Sequence, residues 1–297
     1  MKYNKQLQER SQYSLKDYKD FYYVEFEIIP VEYLQKKEIF VNNTKPVDIS
    51  FTKLNNEIIH SKNNFLAPGH EVKKINISFS SVDFTFSRLF YDCACIKEIK
   101  ILKFHRDDVK DMSYMFYACK NLKKINFTEF NSESVEDFNH IFSGCESLEY
   151  LDLSLFNTHK AINMSSFFQY CEKLKNINLL SFDISNVSNM NNFCSYCKNL
   201  AIFFAPNFVG KKTIDISNMF YYCSKLRYID LSHFSITCET IARGLFGFCF
   251  NLSCVMIKNI EFHPNVDKNE IFSFCNDKLI FHIGKNVTKL CDILREN

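Results

Sequence analysis

Cysteine and histidine are the residue types of this sequence whose spacing could point to specific chemistry. Cys194 and Cys197 form a C-x-x-C pair, and Cys93 and Cys95 form a C-x-C pair. Neither pair is accompanied by a second pair or by histidines at the spacing that a zinc site requires. The sequence therefore predicts no metal site and no cofactor. A metal-binding protein or enzyme that uses Cys194 and Cys197 is the weakest of the alternatives considered.

Composition narrows the class of protein. The chain has 297 residues, of which 46% are hydrophobic and 24% charged, so it is a folding chain rather than a disordered one. The formal net charge of +2 argues against nucleic-acid binding through a broad basic face. No apolar run is long enough to span a bilayer, and no secretory signal is visible. With 13 cysteines and no visible export signal, we expect reduced thiols and a cytoplasmic location, with the cell surface as the alternative.

Eight of the cysteines recur at one constant interval of 26 residues. We call them the ladder cysteines: Cys93, Cys119, Cys145, Cys171, Cys197, Cys223, Cys249 and Cys275. Positions in each repeat are counted from its ladder cysteine, so that Leu122 lies at position +3 of the repeat of Cys119. Apolar residues recur at +3, +6 and +8, as in Leu148, Leu151 and Leu153. This L-x-x-I-x-L spacing and the period are typical of the strand of a leucine-rich repeat.

The residues before each ladder cysteine follow a different period. Before Cys119, apolar residues recur at spacings of three and four residues, namely Val109, Met112, Met115 and Phe116. This spacing predicts the apolar stripe of a short helix. Each unit then consists of a short helix, a turn, a strand and a loop that carries a phenylalanine. Since one unit cannot bury both of its faces, we expect an α/β fold: a leucine-rich-repeat solenoid with a parallel strand ladder plus short helices.

The repeat resembles that of one known family. The run Met112–Phe127, with Val135–Phe156, Val187–Leu200 and Ile216–Phe234, is similar to the BspA-like leucine-rich repeat surface proteins of mycoplasmas and protists. The resemblance covers roughly residues 84–283. It implies a solenoid fold and a role in adhesion or protein binding.

The segments outside the repeats predict the ends of the molecule. We expect a polar lead-in over residues 1–20, a small β-rich cap domain over residues 21–80, and the solenoid of about eight 26-residue units over residues 81–283. Residues 284–297 are expected to form a C-terminal cap, because their short apolar pattern suits the open end of a repeat core.

No arrangement of residues predicts catalysis. The chain has only 6 glycines, and GxGxxG, GxxxxGK[ST] and GxSxG are all absent. Asp152 and Asp230 occupy equivalent outward strand positions three repeats apart, so they do not form a catalytic pair. We therefore expect no catalytic residues.

Outward strand positions predict the binding surface, because solenoids of this kind commonly bind partners on the concave strand face. Positions +5 and +7 are polar in the first four repeats, apart from Tyr150, and from Ala201 onward they become largely apolar, with Asp230 and His282 as polar members of the +7 row. The predicted partner-binding residues are Ile202, Phe204, Tyr228, Cys254, Met256 and Tyr150. A contiguous apolar patch of this kind usually marks a contact surface.

The sequence thus predicts a non-enzymatic scaffold that binds a protein partner through the concave strand face. The main alternative is a cell-surface adhesin of the BspA-like type, exported without a visible signal peptide.

Overall fold

Fifteen β-strands and one four-residue helix make up the regular structure of the described residues. The computed structural model describes residues 23–42, 48–54, 56–79, 85–205, 207–209, 215–261, 268–290 and 293. The strands are β1 Val24–Pro30, β2 Glu38–Ile39, β3 Asp48–Lys53, β4 Ile58–Ser61, β5 Phe65–Leu66, β6 Val72–Phe79, β7 Ile96–Phe104, β8 Lys124–Asn126, β9 Tyr150–Leu151, β10 Asn176–Ile177, β11 Ile202–Phe204, β12 Tyr228–Ile236, β13 Cys254–Ile260, β14 Ile280–Ile283 and β15 Asn286–Lys289. The helix, α1, spans Lys268–Ile271.

The repeats form a β-solenoid of about seven coils with a parallel strand ladder. Strand pairing keeps the 26-residue interval: Ile99 pairs with Ile125, Phe203 with Ile229 and Val255 with Phe281. These residues at position +6 point inward and are buried, because successive side chains of a strand alternate between its faces. The predicted repeat register is therefore confirmed for these strands.

Phenylalanine fills the core in two rows that run along the solenoid. At position −3, ring stacks on ring in successive coils, with centroids 5.5 Å apart for Phe90 and Phe116 and 5.4 Å apart for Phe116 and Phe142. The loop phenylalanines at position +11, such as Phe156 and Phe182, are also buried. Offset stacking adds roughly 0.5–1.5 kcal/mol per aromatic pair beyond burial, so each coil gains stability from its neighbours.

The ladder cysteines form a row of hydrogen bonds between coils. From Cys119 to Cys275, each thiol donates to the carbonyl oxygen of the residue at position −3 in the preceding coil, at 2.9 to 3.2 Å. Seven of the eight ladder cysteines are buried and Cys275 is partly buried. A small side chain with a weak donor fits this position, and the 26-residue interval therefore has a structural origin.

The prediction of a short helix before each ladder cysteine was wrong for the described residues of every coil except the last, where α1 precedes Cys275. In the second coil, the N–H groups of Tyr114, Phe116 and Ala118 donate to carbonyl oxygens of the next coil at 2.8 to 2.9 Å, rather than to their own turn. Tyr114 and Ala118 have φ of 57° and 56°, which an α-helix does not allow. A series of turns that bonds to its neighbour buries residues at offsets of three and four just as a helix does, so the sequence pattern fits both.

A second line of pairing lies at position −8. Asp111, Asp137, Asn163, Asn189 and Asp215 form consecutive parallel bridges. Each of them also accepts a hydrogen bond from the backbone N–H two residues later, at 2.8 to 3.1 Å. These side chains mimic a backbone turn, and they start the segment that leads to the ladder cysteine.

The N-terminal strands continue the solenoid sheet. The order of this sheet is β4-β3-β6-β1-β7-β8, and β1 pairs antiparallel with both β6 and β7. Strands predicted near residues 21–29, 38–41, 47–51, 57–60 and 71–79 are present with shifted ends. The predicted lead-in, residues 1–20, lies outside the described residues.

The C-terminal end closes with an antiparallel strand. After β14, the chain turns at Gly284, whose φ is +58°, and β15 pairs back on β14. Among the described residues, no helix is both long enough and apolar enough to cross a bilayer.

Candidate functional site

Outward residues at positions +5 and +7 of the strands form a surface that we call the strand face. In β11, β12, β13 and β14 the strands pair in parallel without a break. One row at +5 runs Ile202, Tyr228, Cys254 and Ile280, and the row at +7 runs Phe204, Asp230, Met256 and His282. The structure therefore brings together five of the six predicted binding residues: Ile202, Phe204, Tyr228, Cys254 and Met256.

Exposure differs within this group. Ile202 is exposed and Phe204 is 45% exposed, whereas Tyr228, Cys254 and Met256 are half-buried. The Tyr228 hydroxyl donates a hydrogen bond to Met256 Sδ at 2.7 Å, which links β12 to β13 on the outer surface. Two exposed side chains thus lie at one edge of a more tightly packed apolar surface.

A buried carboxylate lies in the middle of the patch. Asp230 is only 7% exposed, although its equivalent Asp152 is exposed. Phe204 and Met256 are its register neighbours on either side, and its Oδ1 accepts the Ser232 N–H at 3.0 Å. Position +7 was predicted to face outward. Asp230 is nevertheless buried, because it has the large neighbours Phe204 and Met256, which Asp152 lacks.

The patch keeps its polar groups neutral apart from this carboxylate. Burial first, and then the charge of Asp230, raises the pKa of the Tyr228 hydroxyl and the pKa of the Cys254 thiol. At neutral pH, Tyr228 remains a hydrogen-bond donor and Cys254 remains a thiol rather than a nucleophilic thiolate.

Tyr150, the sixth predicted residue, lies apart from the other five. It pairs in register with Asn176 in the separate sheet of β9 and β10. The Lys175 ammonium lies 5.6 Å from the centre of its ring, and Lys175 Nζ is 2.7 Å from Glu149 Oε2. Polar Asn176 separates Tyr150 from Ile202, so Tyr150 belongs to a charged region of the strand face.

Cys194 and Cys197 lie in the core. Both are fully buried, and Cys197 Sγ donates to the Phe168 carbonyl oxygen at 3.1 Å. Burial raises the pKa of both thiols, which disfavours the thiolate that binds metal or attacks a substrate. In the part of the chain that the structure describes, no three His, Cys, Asp or Glu side chains are grouped to hold a metal ion.

A groove that the sequence did not predict lies on the turns that precede the ladder cysteines, a surface that we call the turn face. The groove has a volume of about 540 Å³ and runs from the coil of Cys171 to that of Cys275. One wall consists of aromatic residues at position −1, namely Tyr170, Tyr196, Phe248 and Phe274. The recurrence of aromatic residues at position −1 could have indicated the groove. Position −1 fell within the predicted short helices, however, so this recurrence was interpreted as a property of those helices.

Comparison with known proteins identifies one similar family. The family described as "Mycoplasma protein of unknown function, DUF285" matches residues 84–204. The match ends at Phe204 and so covers the polar repeats and the first strand of the apolar patch. No curated protein and no solved structure matches the chain. The comparisons therefore support the repeat architecture and name no ligand.

Proposed function

We propose that this chain is a non-enzymatic protein-interaction scaffold that binds a protein partner through the strand face of β11–β14. The observation that carries the proposal is the exposed pair Ile202 and Phe204, in strand register with half-buried Tyr228, Cys254 and Met256. Exposed apolar groups that are contiguous usually mark a contact surface.

The make-up of the patch suits a protein partner. Phe204 and Tyr228 can act as aromatic anchors, and a few such residues supply most of the binding energy in typical interfaces. The Asp230 carboxylate accepts the Ser232 N–H and is hydrogen-bonded to the Tyr228 hydroxyl, and a partner that covers the patch could add a further donor. The patch thus combines apolar area with one polar group that would orient the partner.

Two phenylalanines of equal exposure provide a matched test. Phe204 is 45% exposed on the strand face, and Phe250 is 46% exposed beside the turn-face residues Tyr222 and Phe248. Partners would be captured from cell extract with the wild-type chain, Phe204→Ser and Phe250→Ser, and identified by mass spectrometry. We expect Phe204→Ser to lose a specific partner that Phe250→Ser retains, with both variants melting near the wild-type temperature.

The reverse result would move the site. Loss of the partner with Phe250→Ser alone would place binding on the turn face, and retention by both variants would remove both surfaces. Serine is used at position 204 because an acidic residue there would lie one strand from buried Asp230 and would destabilise the fold by repulsion.

The BspA-like resemblance supports a second form of this proposal, in which the same surface acts as a cell-surface adhesin. The similarity to a mycoplasma family over residues 84–204 supports this version. Labelling of intact cells with a membrane-impermeant amine reagent distinguishes the two, because only an exported chain would be modified before lysis.

A further inference from the structure

The walls of the turn-face groove differ in chemistry. On the aromatic wall, ring follows ring from coil to coil: the centroids of Tyr170 and Tyr196 are 4.6 Å apart, and those of Phe248 and Phe274 are 4.6 Å apart. The residues at position −5 that also line the groove are Asn192, Asn218, Gly244 and Glu270. Among the described residues that line the groove, Glu270 alone is charged, so this lining is negative.

Two glycines shape the C-terminal end of the groove. Gly244 and Gly247 lie at positions −5 and −2 of one coil, where other coils have larger side chains. A Cβ on Gly247 would lie 2.9 Å from the Tyr221 ring, which therefore leans over this glycine. Tyr221 meets Phe248 edge-to-face at 5.2 Å, and Tyr221, Phe248 and Phe274 form an aromatic cluster beside Glu270.

The first coil shows how aromatic residues of the turn face contact a cation that the chain itself supplies, here with rings at positions −2 and −5. Arg88 is at position −5 of that coil, the position that Glu270 has in the last one. The Arg88 guanidinium lies 5.7 Å from the ring centre of Tyr91 and 5.2 Å from that of Tyr114. An aromatic cluster of the turn face therefore already holds a guanidinium within the range of a cation–π contact.

In the last coils, the aromatic rings of Tyr221, Phe248 and Phe274 line the groove, but the chain supplies no cation to them from its described residues. Among the residues that the structure describes, no lysine or arginine lies over Tyr221, Phe248 or Phe274. Phe274 is 67% exposed, and a carboxylate occupies the position of the arginine. Rings with a nearby negative charge attract an organic cation from solution.

We propose that the turn-face groove binds an extended polypeptide segment of another protein, with a lysine or arginine side chain held between Phe248, Phe274 and Glu270. This site lies on a different surface from the strand face and goes beyond the function proposed above. The protein would thus recognise two features of its partners, one apolar and one basic.

The length and polarity of the groove favour a peptide over a free amine. It spans four coil intervals, about 19 Å at the strand spacing of a sheet, which an extended segment of about six residues covers. The amides of Asn192 and Asn218 face this length and can pair with a peptide backbone. Ser195, which is 1% exposed, lines the groove, and its Oγ has no hydrogen-bond partner among the described residues. A ligand in the groove could supply the missing hydrogen-bond partner of this hydroxyl.

Titration calorimetry with short peptides tests the proposal. The probe is a capped six-residue glycine-serine peptide with one central arginine, and its control carries citrulline, which has nearly the same shape without the charge. We expect the arginine peptide to bind roughly tenfold more tightly than the citrulline peptide, as a cation–π contact with a nearby carboxylate implies. Equal affinity of the two peptides, or no heat with either, would overturn the proposal.

Three variants locate the site. Glu270→Gln and Phe274→Ala alter exposed side chains, so the fold should persist, and each should reduce the affinity of the arginine peptide toward that of the citrulline peptide. Phe204→Ser should leave peptide binding unchanged; if it abolishes binding, the peptide occupies the strand face and the groove assignment is wrong. Capped arginine alone should bind more weakly than the peptide, and equal affinity would contradict a polypeptide ligand.

Discussion

The strand face and the turn face belong to the same coils but are built under different backbone constraints. Strand residues at positions +5 and +7 are extended, and almost any side chain can occupy them. Turn residues at position −1, and at position −5 in every coil except that of Cys275, lie in the left-handed region, as for His140 with φ of 54°, Tyr170 with 60° and Tyr196 with 62°. A non-glycine residue in this conformation costs about 1–2 kcal/mol, so neighbouring contacts must offset the cost.

The contacts between coils differ between the turn face, where the backbone is left-handed, and the strand face, where it is extended. On the turn face, hydrogen bonds to the next coil and ring stacking recur at the same positions; Tyr196 and Tyr222, for example, have centroids 5.3 Å apart. On the strand face, position +5 changes from Lys124 to Asn176 to Ile202 without change of register. The regular residues of the turn face therefore have a structural role, whereas the strand-face residues are free to vary without a change of fold. The regular row of aromatic residues at position −1 also borders the turn-face groove.

The largest expected effect tests the alternation of the strand face. Phe203 is 1% exposed and meets Phe220 edge-to-face at 4.8 Å, whereas its neighbour Phe204 is exposed. We expect Phe203→Ala to lower the free energy of unfolding by about 3–5 kcal/mol, because it leaves a cavity. Phe204→Ala should change it by about 0.5 kcal/mol or less. Urea denaturation measures both, and similar losses would show that β11 has a different register.

An intermediate effect tests the constraint on the turn face. Gly144 has φ of +76°, and a Cβ there would lie 3.2 Å from Ala118 Cα in the preceding coil. Gly144→Ala should therefore cost more than the roughly 1–2 kcal/mol of the left-handed conformation alone.

The control for this prediction is Gly69→Ala. Gly69 has nearly the same φ, +73°, with no atom within 4 Å of an added Cβ. The difference between the two losses in thermal or urea unfolding measures the contact between coils. Equal losses would mean that the coils are not closely packed at Gly144.

The smallest effect concerns pH and His140. Burial lowers the pKa of this imidazole, and the charge of Asp137 only partly opposes the shift. Because the folded protein resists protonating His140, the unfolded chain binds a proton first. The contribution to stability is therefore complete above pH of about 6.5, the pKa of an unperturbed histidine, and is lost as the pH falls from there through the folded pKa.

His140→Asn isolates this contribution, since asparagine also tolerates a left-handed backbone. The variant should show a smaller loss of melting temperature between pH 7 and pH 5 than the wild-type chain. Parallel pH profiles for the two proteins would show that His140 does not titrate between those limits.

Residue spacing was sufficient to predict the repeat, its strands and five neighbouring residues of the strand face. A constant interval of 26 residues places equivalent positions on neighbouring strands, and alternation then separates Phe203 from Phe204. These properties follow from the local chain and from stacking of identical units, so no further information was required.

Three features depended on the tertiary structure. Offsets of three and four before Cys119 fit a helix and a turn alike, and hydrogen bonds to the next coil selected the turn. Asp230 became buried because Phe204 and Met256 flank it, which its own position does not specify.

The groove, the third feature, arises only when positions −1 and −5 of successive coils are placed side by side. The sequence by itself determined which residues repeat and which of them face the core, because periodicity is a property of one chain segment. The tertiary structure decided which residues form hydrogen bonds between coils, which become buried by a neighbouring coil and which line the groove. These contacts join residues 24 to 29 positions apart in the chain.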